Sequence, residues 1–164
     1  MRLIDKLPSI PYHLFLAALM AAFLCCGPVC ASPAQDLPGT WNVVAQLVTS
    51  TTENPNDPYA PKPGMTKTDA WSIYNGDAGP VLRGSSGSIA GQYTEKGAVF
   101  EGTYPLGSGV YVAVKIECFM NGSSSMYGTN ENDYWGTNTV TGEMIKLGME
   151  SWKFGAKKQL VCRS

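Results

Sequence analysis

Histidine narrows the chemistry open to this chain more than any other residue. There is one, His13, inside an apolar run near the start. Beyond it there is no imidazole, so Ser-His-Asp and Cys-His nucleophiles and His-based zinc sites are excluded. Paired carboxylates, Tyr, Lys or Ser-Lys chemistry remain. Glu101 and Glu117 form one carboxylate pair on neighbouring predicted strands, but they alternate with the apolar positions and so belong on an outer face. Asn130, Glu131, Asn132 and Asp133 group oxygen atoms of the kind Ca²⁺ takes. Their spacing is not that of an EF-hand loop, and a hydrated turn is expected there. No phosphate loop, nucleotide fingerprint or metal box is present, so the reading assigns no cofactor and no metal, and ranks an enzyme last.

The five cysteines fall into two groups. Cys25, Cys26 and Cys30 crowd the start of the chain, and Cys118 and Cys162 lie far along it. In an exported domain the latter two are expected to form one disulfide, since redox pairs sit as Cys-x-x-Cys.

Export is itself a reading of the first residues. Arg2 and Lys6 precede the apolar run Tyr12–Cys26, and small residues follow. That is the order of a secretory signal peptide over 1–31, with cleavage after Ala31 or Ala34. The run is short of the roughly 20 residues that span a bilayer. Lipidation at one of the early cysteines is a lesser alternative, because the residues before them do not form a Leu-x-small-Cys box. Removal of the leader leaves about 130 residues, 32–164, which is one domain of ordinary size. The whole chain carries 12 Lys and Arg against 13 Asp and Glu. With no basic stripe, nucleic acid is not an expected partner. The expected location is secreted or periplasmic.

The elements that must position any site are strands. No stretch holds a helical period, and candidate strands alternate with turn signals. They are Thr40–Thr52, Ala70–Asn75, Pro80–Gly84, Ser88–Thr94, Ala98–Tyr104, Val110–Phe119, Ser124–Thr129 and Ile145–Ala156, with a further short one at Tyr134–Thr139. Trp41, Val43, Ala45 and Leu47 form one face of the first; Val112, Val114, Ile116 and Cys118 form one face of the sixth. The last strand changes phase between Leu147 and Met149 and the pair Trp152 and Phe154, which predicts a β-bulge. A Pro-rich loop covers 53–67. About eight strands joined by short turns predict an all-β fold: an antiparallel up-and-down barrel, with a β-sandwich as the alternative.

Gly39-Thr40-Trp41 opens this strand series. In that place it resembles the start of the calycin superfamily, the lipocalins and avidins. The resemblance implies a barrel whose base is closed by Trp41, with Gly39 structural as well, and transfers no ligand-binding residue. The domain also resembles the small secreted barrels that inhibit bacterial metalloproteases. That second resemblance implies a filled barrel and a free tail, here "SPAQDLP", that enters a protease cleft.

Trp71, Trp135, Tyr59, Tyr93 and Tyr104 are the aromatic residues assigned to a ligand site, with core packing as the competing role. Tyr59 belongs to the Pro-rich loop, as a lid or as a plug. Trp135 sits among Gly and Asn, as an exposed or mouth-located aromatic. Asn121-Gly122-Ser123 satisfies a glycosylation sequon but reads first as a tight turn. Two functions follow: an exported barrel binding a small apolar or amphipathic ligand, or a module that binds an extracytoplasmic protein through its tail.

Overall fold

A computed structural model describes residues 32–52 and 61–159. Residues 1–31, expected to be a leader, and Tyr59 and Cys162 lie outside the described residues. One helical turn, α1 (Pro33–Asp36), precedes eight strands: β1 (Gly39–Thr52), β2 (Thr66–Gly76), β3 (Gly79–Gly84), β4 (Gly87–Thr94), β5 (Gly97–Gly107), β6 (Val110–Met120), β7 (Ser125–Thr137) and β8 (Met144–Lys158). Each strand pairs antiparallel with the next, and β8 pairs with β1, so the sheet closes. This is the expected all-β up-and-down barrel, and its closure disposes of the sandwich. Four of the seven connections are only two residues long, at 77–78, 85–86, 95–96 and 108–109. Hairpins this short leave consecutive strands no choice but to be neighbours.

Alternation along the strands sets the interior. Trp41, Val43, Ala45 and Leu47 of β1 are buried, as are Ile116 and Cys118 of β6. The core lies at the end where β1 begins. Trp41, Phe100 and Leu37 are each 0% exposed there. The Trp41 indole donates to Leu37 O at 2.9 Å, and Lys158 Nζ reaches Asp36 O at 2.6 Å while standing 5.4 Å over the Trp41 ring. Gly39 lets this close. Its φ is 144°, and a Cβ would come within 2.5 Å of Lys158 Cε. Ser32–Leu37 is therefore docked on the barrel base by its own carbonyls and by Leu37, where a free tail was expected.

Two further differences from the sequence reading have one physical cause. β2 starts at Thr66, not Ala70, so the Pro-rich loop ends at Met65. The two short strands around "NENDYWG" are a single strand, β7, and the residues expected to form a hydrated turn run through its middle. In both places the inward positions are polar, which hid the alternation. A bulge is present in β8 as expected, but it lies at Leu147, ahead of Met149, and not between Met149 and Trp152. Its register against β7 slips between Tyr134 and Trp135, leaving Leu147 as the extra residue. A second slip, between Leu47 and Thr49 of β1 against β8, was not foreseen.

Candidate ligand cavity

Above the base core the barrel is hollow. A cavity of about 570 Å³ occupies its other half and faces the end where the 85–86 and 108–109 hairpins lie. Trp71 and Phe154 meet edge to face with ring centres 4.9 Å apart, and they separate the cavity from the core below. The walls differ in character. Strands β3 to β6 contribute Leu82, Ile89, Tyr104, Val112, Val114 and Ile116. Strands β7, β8 and β2 contribute Asn130, Asn132, Tyr134, Glu150, Asp69 and Lys67. One arc of the barrel is thus apolar, and the other carries the charged and amide side chains alongside Val43, Ala45, Trp71 and Phe154.

The polar arc is built by two acid-x-Trp repeats. Asp69 and Trp71 sit two apart on β2, so their side chains share the inner face, and the indole donates to Asp69 Oδ2 at 3.1 Å. Ser85 Oγ donates to the same oxygen at 3.1 Å. Glu150 and Trp152 repeat this on β8, with indole Nε1 to Glu150 Oε2 at 2.9 Å. Glu150 is only 9% exposed. Beside it, burial first and the Glu150 carboxylate second push the Tyr134 phenol up to about 12. Lys67 Nζ stands 4.0 Å over the Trp152 ring, and the residue is exposed.

Two polar atoms here lack partners. Asn130 is 9% exposed and its Oδ1 is buried without a hydrogen bond. Ser50 Oγ is likewise unpartnered. The slip at Val48 sets Ser50 directly opposite Glu150 in the ladder. Buried polar groups are normally satisfied, so each orphan needs a reason.

Of the aromatics assigned from sequence, Trp71 and Tyr104 line the cavity. Tyr104 donates to Ser88 O at 2.9 Å, and burial raises its phenol above the ordinary value. Trp135 does not line it. It pairs with Tyr111 and Lys146 on the outer face, the ammonium 5.8 Å from its ring. Tyr93 is packed against the base core and hydrogen-bonds Asn75 Oδ1. Tyr59 falls outside the described residues. Sequence reasoning missed Lys67, Asp69, Tyr134 and Glu150 as site residues, and weighed Asn130 and Asn132 only as oxygen ligands for an ion. The available signal was the spacing of Lys67, Asp69 and Trp71, and of Glu150 and Trp152, at period two.

No known family model matches this chain, and no curated protein does. Among solved structures, that of EF1p2_mFAP2b bound to DFHBI is similar at 20% identity, covering 77% of this chain and 97% of that one, with a TM-score of 0.42. What the cavity can hold follows from its own walls.

The remaining candidates do not converge on a second site. Asn130 and Asn132 point in while Glu131 and Asp133 point out, and Asp133 pairs with Lys146 at 2.8 Å. The four cannot converge on one ion. Among the described residues no group of three or more His, Cys, Asp or Glu is placed to hold a metal. Glu101 and Glu117 are on the outer face as expected, bridged by Lys115 at 3.8 and 3.0 Å. Asn121 to Ser124 is an exposed turn between β6 and β7. Cys118 lies on the core side, its thiol free among the described residues while the expected disulfide partner Cys162 falls outside them, and burial pushes that thiol up to about 12.

Proposed function

We propose that the protein binds a small amphipathic molecule in the open half of its barrel, as a calycin-like binding protein. The observation that carries this is the divided cavity: about 570 Å³, apolar over β3 to β6 and carrying its charged and amide side chains on β7, β8 and β2. Ligand sites of a few hundred Å³ with mostly apolar walls and a few placed polar groups are the usual form. A packed barrel core would have filled this space with side chains, as the base half does. The docking of Ser32–Leu37 on the base removes support for a tail that inserts into a protease.

Export remains the reading of residues 1–31, and the product would act outside the cytoplasm. A cut after Ala31 would leave α1 whole, whereas a cut after Ala34 would divide it. Among the described residues no helix is long and apolar enough to cross a membrane.

The test is titration with a neutral, environment-sensitive fluorophore, N-phenyl-1-naphthylamine. Wild-type protein is expected to give a saturable rise in emission at one site. Val114→Trp, which fills the middle of the apolar wall, is expected to abolish that rise while the thermal melt stays cooperative. A rise that survives the filling substitution would place the probe elsewhere and sink the proposal.

A further inference from the structure

Granted a ligand in this cavity, the polar wall specifies the chemistry of its head. Three charged side chains line the space: Lys67, Asp69 and Glu150. Lys67 is exposed at the wall, with its ammonium over the Trp152 ring. Asp69 is partly buried and already takes bonds from Ala70 N at 2.8 Å, Trp71 and Ser85. Glu150 is the deepest, 9% exposed, and among the described residues no Lys or Arg forms an ion pair with it. A carboxylate has about four acceptor positions, so the Trp152 indole and the neighbouring Tyr134 hydroxyl still leave Glu150 with capacity to spare. A buried carboxylate without a cation is costly, and a cationic ligand would remove that cost.

Asn130 is a second and independent pointer. It lines the same cavity, is nine-tenths buried, and its amide oxygen meets no donor in the protein. Its ladder neighbours are Ile116 and Trp152, and neither side chain completes it. Asn130 lines the cavity, and a half-turn about χ2 would bring its amide oxygen to a donor there while placing the NH2 group in the buried position. Asn132 pairs with Glu150 across the ladder and extends the same polar strip.

We propose that the ligand is an amphipathic amine: an apolar body against Val112, Val114 and Ile116, and a protonated nitrogen held by Glu150 beside Asn130. An amphipathic anion would instead bring a third negative charge beside Asp69 and Glu150, opposed only by the solvated Lys67. Low local dielectric magnifies both effects.

The experiment uses three probes with one ring system: 1-naphthylmethylamine, 1-naphthalenemethanol and 1-naphthaleneacetic acid, each titrated calorimetrically into the purified protein. The amine is expected to bind at least tenfold more tightly than the acid, with the alcohol between them. Glu150→Gln is expected to bring the amine down to the alcohol's affinity and leave the alcohol unchanged. Asp69→Asn serves as the second variant should Glu150→Gln fail to fold, with a smaller loss expected for the amine alone. Equal binding of amine and alcohol, or an amine advantage that both variants leave intact, overturns this proposal and leaves the ligand cavity standing. Tighter binding of the acid does the same and would make Lys67 the selecting charge. If none of the three binds and the neutral fluorophore fails as well, the cavity reading falls with it.

Discussion

Asn130 and Glu150 are the residues at which folding and binding pull in opposite directions. Each is 9% exposed, and the amide oxygen of Asn130 is left without a donor. A buried polar atom of this kind costs roughly 1–3 kcal/mol, whereas an apolar group of the same shape costs nothing comparable. Asn130→Leu keeps the shape approximately and removes the orphan. The ligand-free variant is therefore expected to be more stable than wild type by about 1 kcal/mol, read as a rise of a few degrees in melting temperature. The same variant should bind 1-naphthylmethylamine about tenfold more weakly, since a hydrogen bond to a charged donor is worth about that much. A melting temperature that falls instead would show that the amide is satisfied within the protein. Cys118 makes the contrasting case: its thiol is buried among apolar neighbours, 1% exposed, and is inert there.

At the scale of elements, strand pairing depends on where the backbone lets neighbours approach. Gly128 of β7 faces Cys118 of β6 and Phe154 of β8. A Cβ at Gly128 would overlap the Glu117 carbonyl and come within 2.7 Å of Phe154 Cζ. Backbone on one side and a core ring on the other leave nothing cheap to move, so Gly128→Ala is expected to cost about 2–3 kcal/mol or more. Gly155, on the outer face of β8, meets nothing within 4 Å. Gly155→Ala should change stability by less than about 0.5 kcal/mol. Paired thermal melts check this, and equal effects for the two substitutions would refute the packing argument. The same elements show how much the sequence disclosed. The regular faces of β1 and β6 were legible because apolar residues recur at period two, the short hairpins from their turn residues, and the Trp41 base from the resemblance of Gly39-Thr40-Trp41 to the calycin opening. The start of β2 and the middle of β7 were not. There the inward positions are Lys67 and Asp69, and Asn130, Asn132 and Tyr134. A rule that equates inward with apolar breaks where a barrel turns polar residues to its interior, and that is the wall of the cavity. Local inconsistency of this kind belongs at functional sites. The assignment of Trp135 to the ligand site fails for a complementary reason: with "NENDYWG" extended as strand, Trp135 takes the outer face, opposite to Asn130, Asn132 and Tyr134.

For the molecule as a whole, the division into a packed half and a hollow half leaves titratable groups whose burial has one consistent sign. Among the described residues, every resolved shift is upward: Tyr93, Tyr104, Lys115, Cys118 and Tyr134. For the four phenols and thiols the leading cause is burial, which disfavours the anion; for Lys115 it is the hydrogen bond to Glu117. A group whose folded value is raised holds its proton more tightly in the native state than in the unfolded chain. Its contribution is complete below the unfolded value and is lost as pH climbs through the folded one. For Cys118 that window runs from 9.0 to about 12, and for Tyr134 from 10.0 to about 12. Both groups are thus fully protonated in native and unfolded protein at neutral pH, and both oppose ionisation as the medium becomes alkaline. Stability is expected to hold steady from pH 7 to about pH 8.5 and to decline steadily above pH 9, measured as the urea midpoint in reducing buffer. Cys118→Ala removes the lower edge of the window, so its decline should begin nearer pH 10, and Tyr134→Phe should flatten the part above pH 10. The phenol can be followed directly: one tyrosine fewer should ionise near pH 12 in the absorbance titration of folded Tyr134→Phe. A wild-type midpoint that is unchanged at pH 11, or a decline that Cys118→Ala leaves in place from pH 9, would show that these buried groups do not couple to folding.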